Sequence, residues 1–157
     1  RNLCRELGWN EVSSYIQSGN LVFSLADEAV ATAPLEQALA MAIHAEFGYD
    51  VPVLVLKAKS LKTIFLNHPF RTKEEPKALH YTLFSQCPKV HVESWANSLP
   101  PDKENGIAGG QKAVYLYCPN GYSKTKWGNA WIEKQLGVPT TTRNFKTLSA
   151  LLKKTGE

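Results

Sequence analysis

Four histidines and three cysteines are the side chains of this 157-residue sequence best suited to proton transfer, nucleophilic attack or metal ligation. Their spacing favours none of these. A nucleophile needs a base within hydrogen-bond reach, yet Cys4, Cys87 and Cys118 lie far from one another and His44, His68, His80 and His91 are scattered between them. No His-x-x-x-His or Cys-x-x-Cys spacing occurs, and metal sites are built from such clusters, so no metal and no cofactor is expected and no catalytic residue is assigned. An odd number of widely spaced cysteines is not a disulfide framework; they read as reduced, mostly buried thiols of a cytoplasmic protein. The adjacent Glu74 and Glu75 read as a solvated pair in a charged loop.

The basic residues are more informative. Net charge is only +4, but residues 123–157 hold seven Lys and Arg against two acids, while the rest of the chain is nearly balanced. A one-sided excess of this kind suits an anion-binding face. Two stretches sharpen it: Gly121-Tyr122-Ser123-Lys124-Thr125-Lys126, read as opening a helix, and Thr140-Thr141-Thr142-Arg143-Asn144, read as preceding the last helix. Helix starts offer unpaired N–H groups and the positive end of a dipole. The expected ligand is therefore a small phosphate-bearing or nucleotide anion. Lys124, Lys126 and Arg143 would supply charge, and Ser123, Thr142 and Asn144 would supply hydrogen bonds. Ser18, Gly19 and Asn20 join them if the first hairpin turn abuts that corner. Neither stretch has the G-x-x-x-x-G-K-[ST] spacing of a P-loop, and Ser, Thr and Asn at helix starts also serve as plain caps.

Two other readings stand beside this one. Tyr115 and Tyr117 share one face of a strand, as in modules that stack single-stranded nucleic acid, although the RNA-recognition signature is missing. The chain could equally be an interaction or scaffold protein without a small-molecule site. Trp127 and Trp131, four residues apart, are expected on one helical face as packing residues. The sequence leaves oligomeric state open.

The elements that must position these residues follow from periodicity. Leu3, Cys4 and Leu7 mark a short helix stopped by Gly8. Ser14–Gln17 and Leu21–Phe23 flank Ser18-Gly19-Asn20 as a hairpin. Leu35, Leu39, Ala42, Ile43 and Phe47 form one stripe of a helix from Pro34 to Phe47, closed by Gly48. Val51–Leu56 reads as a strand buried on both faces, and Ser60–Asn67 as a helix capped by Ser60. After a charged linker at 71–77 the order repeats. A strand at His80–Phe84 comes first, then a helix at Pro88–Asn97 and a hairpin over Ile107–Ala108 and Ala113–Tyr117. Helices at Lys124–Leu136 and Asn144–Lys154 complete it. The expected fold class is α+β: two ferredoxin-like (split βαβ) halves, at 1–70 and 78–157, with antiparallel sheets covered by helices. The first half would need a strand upstream of Arg1 to complete the pattern. Hydrophobic residues at 43% and charged residues at 20% are ordinary globular values,. No apolar run approaches the roughly 20 residues of a membrane span.

Three stretches carry a family resemblance: Ser14-Tyr15-Ile16-Gln17-Ser18-Gly19-Asn20-Leu21-Val22-Phe23, Phe47-Gly48-Tyr49-Asp50-Val51-Pro52-Val53, and Leu136-Gly137-Val138-Pro139-Thr140-Thr141-Thr142-Arg143-Asn144-Phe145. Through them the chain resembles the bacterial family catalogued as domain of unknown function 1697. That resemblance implies a two-part fold of ferredoxin-like halves and no established activity. It also implies a leading strand and an Arg-Gly-Ile-Asn-type loop before the residues present here. Trp127-Gly128 departs from the family's Leu and small hydroxyl residue; a glycine inside a helix there would cost about 1 kcal/mol.

Overall fold

The computed structural model describes residues 1–15, 19–72 and 75–156. Ser18 and Glu74 therefore lie outside the described residues. The chain order is α1 (Asn2–Glu6), β1 (Asn10–Tyr15), β2 (Asn20–Ser24), α2 (Thr32–Phe47), α3 (Ala58–Leu66), β3 (Leu79–Leu83), α4 (Val92–Ser98), β4 (Gly106–Gly109), β5 (Ala113–Tyr117), α5 (Asn129–Leu136), β6 (Thr141–Asn144) and α6 (Phe145–Thr155). Single 3₁₀ turns occupy Pro76–Ala78 and Tyr122–Lys124. The fold is α+β, with two antiparallel sheets.

In the second half, β3-α4-β4-β5-α5-β6 builds a four-stranded sheet in the order β4-β5-β3-β6, which is the split βαβ topology. Alternation of side chains along each strand gives the sheet two apolar faces. Phe84, Val114 and Leu116 meet Val92 of α4 and Ile132 and Leu136 of α5 on one face. Leu79, Tyr81, Leu83 and Tyr115 meet Leu61, Ile64 and Phe65 of α3 and Leu148 and Leu152 of α6 on the other. The sheet is thus covered on both sides, with α3 drawn from ahead of the linker.

The first half is simpler. Trp9 and Phe23 stack at 4.1 Å within a small core that gathers Cys4, Val12 and Leu39, with Leu35 and Ile43 packed against it. Gly48 closes α2 in the left-handed conformation (φ 73°), as the sequence predicts. Phe47, predicted on the buried stripe, is 59% exposed. Each four-residue step drifts about 40° round a 3.6-residue helix, so by Phe47 the stripe has turned away from the hairpin.

Three further expectations are corrected. Val51–Leu56 forms no strand. Val53 packs against the first core and Leu54 and Leu56 against the second, but all three are only partly buried and Val51 is 42% exposed, so neither full burial nor pairing is found. In the split arrangement a last strand reaches its sheet through the first. Among the described residues no strand stands between β2 and this segment, and the Val55 N–H donates to Glu36 Oε1 instead (2.8 Å). The helix expected from Lys124 begins only at Asn129. Thr125 Oγ1 accepts the Trp127 N–H (3.2 Å), a local turn that competes with helix, while Trp127 is buried in the core. Gly128 is then the N-cap rather than an interior residue, and Trp127 and Trp131 do not share a helical face. Finally, α3 starts at Ala58, with Lys57 rather than Ser60 at its N-cap.

Candidate functional site

The stretch 140–144, read as preceding the last helix, contains the edge strand β6, which runs directly into α6. β6 pairs with β3 so that Thr142 lies opposite Thr82 and Arg143 opposite Tyr81. On the α5 side, Thr82 donates to Thr142, whose hydroxyl donates in turn to Asn129 Oδ1 (2.8 and 3.0 Å). Asn129 Oδ1 also takes the Thr140 hydroxyl at 3.0 Å, and Glu133 Oε2 accepts the Thr140 N–H at 2.8 Å. Thr142 is therefore committed to a buried polar network that locks α5 onto β6. Asn144 caps α6 by accepting the Thr147 N–H (2.8 Å).

On the opposite side, the half-buried Arg143 reaches the first hairpin. Its Nε donates to Asn20 Oδ1 at 2.7 Å, and Nη1 donates to the Thr142 carbonyl at 3.0 Å and to Thr141 Oγ1. Asn20 is only 8% exposed and holds the Tyr15 carbonyl through its own amide (3.2 Å); Gly19 beside it has φ +76°. Burial lowers the Arg143 pKa, but a guanidinium stays charged in proteins. The seam between hairpin and sheet thus contains a fixed positive charge.

The lysines are elsewhere. Ser123 and Lys124 sit on the exposed 3₁₀ turn, and Tyr122 of that turn stacks on His80 at 5.0 Å, on the Thr82 side of β3. Lys126 pairs with Asp102 (3.7 Å) and lies over the Trp127 ring (5.4 Å). The backbone N–H groups of Asn105 and Glu104 hold the Asp102 carboxyl below its usual pKa. So the sequence-predicted residues fall into two sets: Asn20 and Arg143 are brought into contact, while Ser123, Lys124 and Lys126 lie across the sheet from them. Thr142 and Asn144 have structural partners already.

Sequence reasoning passed over the residues that shape a cleft of about 100 Å³, lined by Pro52, Leu54, Ser85, Gln86, Pro139 and Thr141 among others; Arg143 reaches it through its bond to Thr141 Oγ1. Thr141 was quoted but not selected, and Ser85-Gln86 gave no signal beyond following a strand. A broader shallow groove of about 670 Å³ runs along Met41, His44, Asp50 and Val51, with His44 Nδ1 2.8 Å from Asp50 Oδ1. Its lining is mainly apolar.

The buried histidine and cysteines are packing residues. His68, 3% exposed, lies against Tyr81 and Tyr115, and burial pulls its pKa down to about 4. Burial raises the Cys118 thiol to about 11 and also raises Cys4. Among the described residues no three His, Cys, Asp or Glu side chains are grouped to hold a metal, and no helix is long and apolar enough to cross a membrane.

A family model described as "Protein of unknown function (DUF1697)" matches residues 1–115. The chain belongs to the DUF1697 family. No curated protein matches it. Among solved structures, the conserved bacterial protein SP0830 from Streptococcus pneumoniae is similar in fold, with a TM-score of 0.72 at 20% identity over 98% of this chain and 84% of that one. The likeness extends the DUF1697 fold to that protein and, at this identity, carries nothing about ligands.

Proposed function

We propose that this DUF1697 protein binds a small oxyanion, such as a phosphate group, in the cleft where the 52–54 segment, the turn after β3 and the approach to β6 meet. The observation that carries the reading is the Arg143–Thr141 contact at the cleft wall. Because the guanidinium donates to Thr141 Oγ1, the threonine's own proton is left for another acceptor, and the positive charge behind it strengthens that donation. Ser85 and Gln86 add a hydroxyl and an amide at the same opening. A desolvated cation at a seam favours a nearby anion more than a surface lysine does. Glu133, close behind Thr140, is occupied by the Thr140 N–H.

The volume narrows the ligand class. Liquid water takes about 30 Å³ per molecule, and drug-sized ligands need about 300 Å³ or more. A cleft of about 100 Å³ suits one oxyanion group, with any remainder of a larger metabolite lying outside. Stacking of single-stranded bases receives less support, since Tyr115 is buried and Tyr117 packs against Phe70 (6.0 Å) beneath α3.

The test is thermal unfolding against inorganic phosphate and sulfate. At tenfold excess over Kd, ligand linkage predicts a rise of roughly 3–6 °C for a chain of this size. Thr141→Val and Arg143→Lys should each abolish most of the rise, and Lys124→Ala should leave it intact. No rise at millimolar anion, or an undiminished one in both seam variants, refutes the reading.

A further inference from the structure

The expected basic excess lay in the C-terminal residues alone. The fold adds a second source. α3 and α6 pack side by side on one face of the four-stranded sheet, with Phe65 and Phe145 in ring contact at 4.9 Å between them. α3 carries Lys59 and Lys62, α6 carries Lys146, Lys153 and Lys154, and neither helix contains an acidic residue. All five lysines are exposed. The buried positions Leu61, Ile64 and Phe65 on α3, and Leu148 and Leu152 on α6, point at the sheet. At 100° per residue, Lys59 projects almost directly away from it, and Lys146 and Lys153 lie on the outward half of α6.

We propose that the α3–α6 face docks on duplex nucleic acid through the phosphate backbone, without reading sequence. Packed helices stand about 8–10 Å apart, and duplex grooves are about 6–12 Å wide, so two lysine rows can address phosphates on both sides of one groove. Lysines act as point charges and lack the planar fork that reads guanine or grips one phosphate bidentately; this suits contacts that tolerate any sequence. A single strand would want stacking platforms, but Phe65 is buried and Phe145 is packed against it. An anionic bilayer would want apolar residues to insert between the lysines. Leu66 is the one large apolar side chain of these two helices that is strongly exposed (52%); Thr63 and Ala150 fill the outward positions between lysines.

Fluorescence anisotropy of a labelled mixed-sequence duplex with the full chain tests this. Three to five phosphate contacts give a log–log salt slope of about −3 to −4.5, and so a loss of roughly 10²-fold in affinity between 50 and 200 mM salt. The triple variant Lys59→Glu, Lys146→Glu, Lys153→Glu should lose at least tenfold in affinity at 50 mM salt. The control Lys103→Glu, Lys112→Glu, exposed on the loops flanking β4 and β5, should stay within about twofold. The salt slope of the unaltered protein stands even if the triple variant misfolds. No binding at 50 mM salt, a slope near zero, equal loss in the loop control, or tighter binding to phosphatidylserine vesicles or to a single strand than to the duplex overturns the proposal.

Discussion

Lowering the pH from 7.5 to 5 should remove about 2 kcal/mol of stability through His68 alone. Its ring fills a slot between Phe70, Tyr81 and Tyr115. Nε2–H donates to the His80 carbonyl at 3.1 Å, and Nδ1 accepts the Phe70 N–H at 3.3 Å. That pair of bonds requires the neutral tautomer, and protonation would both bury a charge and strip the acceptor from Phe70. Desolvation is the main cause holding the native pKa down to about 4, against about 6.5 in an unfolded chain. A depressed histidine leaves the unfolded state with more bound protons between those values. Stability is therefore full above pH 6.5 and falls as pH drops towards 4. Integrated over this window the loss is about 2 kcal/mol by pH 5 and about 3 kcal/mol by pH 4. His80, also lowered by burial, acts in the same direction. Urea unfolding at pH 7.5, 6 and 5 should be compared with His68→Gln, whose amide can keep the donor to the His80 carbonyl but cannot titrate. The wild-type-minus-variant difference isolates the His68 share. Parallel pH profiles for the two proteins, or a native His68 imidazole titrating near 6.5 by NMR, would refute the reasoning.

Two further outcomes follow from packing. A methyl group on Gly109 would collide with the backbone of Val92 and Glu93 at the start of α4, so Gly109→Ala should cost roughly 1–3 kcal/mol, read as a lower urea midpoint; an unchanged midpoint would mean β4 and α4 stand further apart. Cys4 and Cys118 are 1% exposed while Cys87 is exposed, so a thiol reagent should modify one cysteine at native pH and all three in denaturant, and rapid labelling of a second thiol would contradict the burial.

The fold class was legible because its signals are local and periodic. The stripe through Leu35, Leu39 and Ile43 and the alternation of Leu79, Tyr81 and Leu83 along β3 reflect side-chain periods that hold wherever the elements end up. The bounds of β6 were harder to place: Thr-Thr-Arg-Asn has no apolar alternation, and the hydroxyl chain from Thr82 to Asn129 is what makes a polar strand at home there. The start of α5 was misplaced because Thr125 and Trp127 settle it through one local bond and one buried ring. The site was half legible. Arg143 and Asn20 were selected and do meet, 123 residues apart in sequence, whereas Lys124 was grouped with them on charge and an expected helix start, neither of which says which face of a sheet a residue occupies.

The strand order has a consequence for synthesis. β3 is central to its sheet, yet both neighbours, β5 and β6, are made after it. At about 5–20 residues per second, β3 waits some seconds for Ala113–Tyr117 and several more for Thr141–Asn144. Of the segments made earlier, α3, with Leu54 and Leu56 ahead of it, packs into the core that holds Leu79, Tyr81 and Leu83 in the finished fold. The nascent chain emerges with a shield for one face of its middle strand already translated, and the opposite face stays open until α4 and α5 arrive.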